Sequence, residues 1–373
     1  MRVFNTLKWA AMPLVVSLTG CSILGGAVEG TPATLLAYIS MQSLDQVSVV
    51  SLIQRTPTGD PIPAGSAPAN MAINPRSDRE YLYVANHSTN TISFLNVRTR
   101  QKEVSVASGD RPWDVSITPD GLALYVTNTG DKTVSLIDVE SRSTLKNFTF
   151  EPSAYPNFMP RGIATQPPST PSNPGNEARK TEAYVISEGN SGSAGSPAGQ
   201  IVVLKGQQTA STFTINSAVK LWKGAVTADG NRLLVTDRGR QTLWSVDLTS
   251  GAATPITLPS AGWDVVVHGK TAFVSMPDVG VIASIDLDTN TVAETTPATP
   301  EGSQNKIQRQ PKALAINSNG TELWAALAGS NEVVVIPSID KTKFGFKPRL
   351  VTYSYTPGQS GAPEDIVLGR GVQ

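Results

Sequence analysis

Along most of this chain, short apolar runs alternate with polar positions and are broken by tight-turn residues. The stretch Arg111 to Val139 shows the pattern most clearly. Trp113–Thr118 alternates and is rich in β-branched residues, which predicts a strand. Pro119-Asp120-Gly121 is a turn, Leu122–Asn128 a second strand, Thr129-Gly130-Asp131-Lys132 another turn, and Thr133–Val139 a third strand. Asp-Gly between alternating apolar runs is a strong hairpin signal. One such meander cannot bury both faces alone, so it needs sister sheets packed on either side.

The chain supplies them. The centre of the second strand recurs as Tyr38-Ile39-Ser40, Tyr83-Val84-Ala85, Tyr125-Val126-Thr127, Tyr184-Val185-Ile186, Leu234-Val235-Thr236, Phe273-Val274-Ser275 and Trp324-Ala325-Ala326. Several third strands end on a polar residue: Asn96, Asp138, Asp247 and Asp286. First strands begin at Pro68, Pro112, Pro160, Leu221, Gly262, Pro311 and Pro363. The two sets are equal in number but offset. The unit around Tyr38 has no first strand before it, and the strand at Pro363 has nothing after it. A ring resolves the offset if the C-terminal strand completes the N-terminal unit, which also hides the sheet edges.

Tyr125-Val126-Thr127-Asn128 and its copies resemble the YVTN repeat family, also called YncE-like. The resemblance spans residues 34–373. It implies an all-β, seven-bladed β-propeller of four-stranded antiparallel blades, and it says little about function. Insertions mark candidate functional loops. Two fall in blade four, at Gln166–Lys180 and Glu188–Gln200. Thr56–Ala67 and Thr296–Gln310 read as long connectors between blades. In a propeller the blade connectors and the second-to-third-strand turns share one face, here termed the top.

Composition fits a repeat array. Apolar residues make up 39% and charged residues 16%, with 31 Gly and 27 Pro for many turns. Thirty basic and 30 acidic residues cancel, so no general nucleic-acid coat is expected. Residues 1–20 stand apart, with Arg2 and Lys8 before an apolar core at Trp9–Leu18. Leu18-Thr19-Gly20-Cys21 resembles a bacterial lipobox, so Cys21 is the expected lipidation site and residues 21–33 a tether. An ordinary signal peptide with an incidental cysteine is the alternative. Cys21 is the single cysteine, so no intramolecular disulfide forms. Ser22 permits sorting to an outer membrane where the host has one. The expectation is therefore a lipid-anchored, monomeric protein of the cell envelope.

The candidate site is the start of the first strands, which in a propeller line the channel near its top mouth. The residue after each leading slot is Ala69, Trp113, Arg161, Trp222, Trp263, Lys312 or Glu364, so three of the five tryptophans beyond the signal segment share one column. The next column is Asn70, Asp114, Gly162, Lys223, Asp264, Ala313 and Asp365. Trp113, Asp114, Arg161, Trp222, Lys223, Trp263, Asp264, Lys312 and Glu364 are the predicted ligand-binding residues, as an aromatic wall with converging polar groups. The alternative is that the tryptophans only wedge between blades. Arg161, Lys223, Arg238, Arg240, Lys306, Arg309 and Lys312 form a basic arc on this face, which favours an anionic partner. A mixed solvated surface is the alternative.

Two function classes lead, and a third, DNA or RNA binding through the basic arc, would be marked by steep salt dependence. One is a binding or scaffold module for a protein, peptide or glycan. The other is a channel-mouth enzyme of the lactonase or lyase type using acidic residues and a divalent metal, a fold-level analogy. His87 lies in a top turn and His268 at the opposite end of a first strand, so no His-based metal site or triad is expected, and the channel mouth reads as lacking histidine. Asp114 with Asp264, or Glu364 with Asp365, would suit a hard cation, and salt bridges to Lys312 or Lys223 are the competing expectation. No catalytic residue and no cofactor is predicted.

Overall fold

The computed structural model describes residues 34–371 apart from 77, 154, 156–157, 168–181, 189–198, 299–308, 318–319, 338–348 and 353–362. The expected signal segment, Cys21, the tether, the interiors of both blade-four insertions and Lys306 lie outside the described residues.

Seven four-stranded antiparallel sheets form from short strands separated by tight turns. Their innermost strands are Pro363–Gly371, Pro68–Ile73, Pro112–Ile117, Pro160–Thr165, Leu221–Val226, Val265–His268 and Pro311–Ile316, for blades one to seven. Each touches its two neighbours, and the series closes on itself. This is a seven-bladed β-propeller. Blade one is built as the offset repeats require: the C-terminal strand pairs with Thr34–Met41, with Ile39 opposite Ile366.

Cohesion comes from apolar layers between adjacent blades. Tyr38, Tyr83, Tyr125 and Tyr184, which lead four of the repeats, are buried there, as is Trp324. Tyr83 meets Phe94 edge to face at 4.9 Å, and both pack with Val115 and Val126 of the next blade. Each such side chain contributes about 1.5–3 kcal/mol by leaving water. The polar residue ending the third strand caps the turn that follows. Asp138 accepts the Ser141 N–H at 2.6 Å, Asp247 that of Ser250 at 2.7 Å, and Asn96 that of Thr99 at 3.0 Å.

Two sequence expectations need correction. Thr56–Ala67 is not only a connector, because Ile62–Pro63 within it is the outer strand of blade one. The same segment also bridges its partner strand at Pro57, opposite Val50. Thr296–Gln310 likewise begins inside a strand, Thr291–Pro297, the outer strand of blade six.

Candidate functional site

The inner strands of blades one to five and seven begin with an irregular register, as between Pro363 and Asp365, Pro112 and Asp114, Pro160 and Gly162, and Leu221 and Gly224. Such bulges re-aim side chains. Here they let two consecutive residues serve the channel at different depths.

The first column forms an indole–cation ladder across the mouth. Trp222 meets Trp113 at 6.4 Å and Trp263 at 5.1 Å, both edge to face. The Arg161 guanidinium lies 3.9 Å from the Trp113 ring centre and 4.0 Å from that of Trp222. Arg238 sits 4.1 Å from Trp263 and 5.6 Å from Trp222. Lys312 stands 4.8 Å from Trp263 and binds Glu364 at 2.9 Å. The rim column therefore does converge. Its tryptophans hold cations as much as they hold blades, and Trp222, 6% exposed, is the most enclosed.

Second-strand hydroxyls fix the rim backbone. Thr127, the threonine of the YVTN copy in blade three, donates to the Arg161 carbonyl at 3.0 Å. Thr236 donates to the Trp263 carbonyl at 3.1 Å, Ser275 to that of Lys312 at 2.5 Å, and Ser40 to that of Ala69 at 2.7 Å. Each bond crosses to the next blade, so the repeat motif itself sets where the rim side chains start.

The second column lies deeper and is internally satisfied. Asp114 accepts the Ile163 N–H at 3.0 Å, Asp264 that of Leu314 at 2.8 Å, and Asp365 that of Met71 at 2.7 Å. In every case a carboxylate staples its blade to the next. Gly162 leaves room for such closeness, since a Cβ there would meet the Trp222 carbonyl oxygen at 2.3 Å. Lys223 extends across the channel to Asn70 at 2.7 Å and Asp114 at 3.1 Å. Asp114, Asp264 and Lys223, expected at the mouth, are thus engaged beneath it. The salt-bridge expectation holds for Lys223 with Asp114 and for Lys312 with Glu364. Among the described residues no group of three or more His, Cys, Asp or Glu is placed to hold a metal ion.

The buried charges perturb one another. Burial alone would lower the Lys223 ammonium, but the Asp114, Asp365 and Asp264 carboxylates outweigh it and the net shift is upward. Burial raises Asp264, with Lys223 opposing. Burial pushes Asp365 up to about 7, again against Lys223, and Asp264 adds to the rise. A carboxyl raised on folding holds its proton more tightly in the native state. Its contribution is therefore complete below the unfolded value and is lost as pH rises to the folded one. Asp365→Asn should flatten the decline in melting temperature from about pH 4 to about pH 7. A decline as steep as in wild type would assign it to other groups.

Three residues outside the predicted ligand-binding set join the rim: His87 of the top turn, Glu188 at the start of an insertion, and Arg238 of the basic arc. They occupy one column, directly after Asn86, Ser187 and Asp237 at the ends of second strands. The peptide N–H of each donates to the residue before the inner strand: Ala67, Met159 and Lys220 respectively. This folds the turn over the mouth. His87 stands edge-on to Trp113 at 5.6 Å, which corrects the expectation of a mouth without histidine. Its imidazole is lowered by burial, while a hydrogen bond to Pro112 opposes the shift. Glu188 binds Lys220 at 2.8 Å and lies 4.0 Å from Arg161 Nε. Elsewhere in the basic arc, Arg309 pairs with Glu332 and Arg240 is exposed.

Arg161 and Arg238 differ from the other rim cations. Neither guanidinium has a hydrogen-bond partner among the described residues, and Arg161 Nε, Arg238 Nη1 and Trp222 Nε1 are buried without one. Burial lowers both arginines below their ordinary value.

Residues 33–159 match the family model described as "Lactonase, 7-bladed beta-propeller". Its likeness is to seven-bladed propellers. No curated protein matches the chain. Among solved structures, apo AztD from Citrobacter koseri superposes with a TM-score of 0.62 at 12% identity, covering 91% of this chain and 99% of that one. A functionally unknown protein from Desulfotomaculum acetoxidans gives 0.59 at 15% identity, over 86% and 99%. Virginiamycin B lyase from Staphylococcus aureus gives 0.57 at 14%, over 76% and 83%. At these identities the likeness establishes the fold alone.

Proposed function

We propose that this protein is a lipid-anchored binding propeller of the cell envelope that recognises a protein, peptide or glycan partner at its top mouth. One observation carries the reading: Trp113, Trp222 and Trp263 converge there and hold two arginines whose guanidinium groups lack hydrogen-bond partners among the described residues. An unpartnered buried donor costs about 1–3 kcal/mol, more when charged, so a fold that keeps two has use for them. Arg161→Ala or Trp113→Ala should weaken capture of the partner from envelope extract by about 1–3 kcal/mol, the scale of an anchor residue. Capture equal to that of wild type, with the variant folded, would refute the reading. The anchor has its own test. Cys21→Ser should release the protein from membranes or block its maturation, because retention rests on the lipids at Cys21. Unchanged fractionation and processing would remove the lipoprotein part of the proposal.

A second reading, acyl or elimination chemistry at the mouth, is favoured by the lactonase propeller match and by His87. A neutral imidazole beside a cationic rim is suited to general base work. The metal-assisted version has less support, since the candidate carboxylates already bind backbone N–H groups and Lys223. Turnover of a lactone panel that disappears in His87→Ala would move the assignment to an enzyme.

A further inference from the structure

The rim limits what a partner can present to it. The indole faces, the surfaces on which a neutral sugar or an apolar group would stack, are occupied by side chains of the protein. Trp113 carries Arg161 and the edge of His87, Trp222 carries Arg161 and Arg238, and Trp263 carries Arg238 and Lys312. The arginines are in turn fixed through their flat faces, which leaves their N–H edges as the groups still able to bond. Lys220, Lys223 and Lys312 are neutralised by Glu188, Asp114 and Glu364. Among the described residues, what the mouth offers is therefore two guanidinium edges on either side of one indole, and little open aromatic surface.

We infer that the mouth takes a carboxylate group, received edge-on by Arg161 and Arg238. This rests on the reading of the mouth as a binding site and names the chemistry of its ligand. Guanidinium and carboxylate are planar and match as a two-bond fork, and a guanidinium held between rings is oriented for it in advance. The protein already places one carboxylate at this edge, since Glu188 lies 4.0 Å from Arg161 Nε. That distance is too long for a hydrogen bond, so Glu188 balances charge without occupying the donor. A doubly charged phosphate fits less well. Glu188, Glu364 and Asp114 all act on Arg161, and Asp278 and Glu188 on Arg238, so a second negative charge meets repulsion. The carboxylate has two natural sources, an acidic peptide side chain and a uronic acid of a glycan.

The test is a fluorescence titration of the full chain, in which the rim tryptophans report locally. The probes are N-acetylglutamate against N-acetylglutamine, glucuronate against glucose, and inorganic phosphate and sulfate, all at one ionic strength. The expected result is a saturable change with at least one acid, its neutral counterpart weaker by about tenfold or more. The tighter acid names the source. Arg161→Lys or Arg238→Lys keeps the charge but loses the fork, and should weaken that acid by about tenfold. Lys270→Gln, exposed and paired with Asp288 at the far end of blade six, should leave binding unchanged. Neutral counterparts binding as well as the acids, phosphate or sulfate binding more tightly, or no saturable response to either acid would each overturn the carboxylate assignment. None of these results touches the partner-capture comparison, which decides the proposed function separately.

Discussion

Deleting residues 363–373 should abolish cooperative unfolding. This segment contains Pro363–Gly371, the inner strand of blade one, and its removal leaves Thr34–Met41 as an open edge inside the ring. Ile366 leaves the joint with blade seven, where it packs with Ile39, Met41 and Trp324. Asp365 no longer holds the Met71 N–H, so the staple to blade two is lost, and Lys312 loses Glu364. Lost ladder bonds cost about 1 kcal/mol each and the buried side chains about 1.5–3 kcal/mol each. The total rivals the roughly 5–15 kcal/mol that holds a typical domain together. Broad, non-cooperative melting or aggregation is the expected outcome. A truncated chain that melts like wild type would contradict ring closure by the C-terminal strand.

Lys223→Met should produce the next largest loss, about 3–5 kcal/mol, the usual cost of removing one partner from a buried ion pair. The Lys223 side chain is 15% exposed and reaches Asn70 and Asp114 on the far side of the channel. Without it, Asp114, Asp264 and Asp365 face one another with no central cation. Asp264 and Asp365, whose rise Lys223 opposes, would hold their protons more tightly, so the loss should deepen as pH rises from about 4 to about 7. Thermal melts of the variant at both ends of that range test this. A loss of the same size at both would assign the effect to packing and not to charge.

The sequence made the ring legible because every blade repeats one local solution. Alternation, Asp-Gly turns and the tyrosine column follow from the same burial problem solved seven times, and the offset between first and last strands has one economical closure. The rim column was legible for the same reason, since Trp113, Trp222 and Trp263 share a slot. What that column does was less so. Whether an indole wedges between blades or carries a cation depends on the neighbouring blade's side chain, and that neighbour is distant in sequence. Thus Asp114, Asp264 and Lys223 read as mouth residues, yet they sit below the rim, tied to backbone and to one another. His87, Glu188 and Arg238 were legible as a top turn, an insertion's start and part of a basic arc, but not as one column, because their shared place after Asn86, Ser187 and Asp237 carries no common residue type. The short outer strand at Ile62–Pro63 left no signal, because two residues carry no periodicity.

The ladder at the mouth is held ready for a ligand, and that claim predicts an unusual stability result. Arg161 Nε and Arg238 Nη1 are each buried without a hydrogen bond, a cost of about 1–3 kcal/mol per donor, while the stacking returns about 0.5–2 kcal/mol. Residues kept for the fold would stabilise it, whereas residues kept for a ligand need not. The decisive measurement is the melting temperature of the ligand-free full chain carrying both Arg161→Met and Arg238→Met. Melting unchanged or raised, together with lost partner capture, is the result this account predicts. Melting lowered by several degrees with partner capture intact would make the ladder a structural joint between blades and contradict the account.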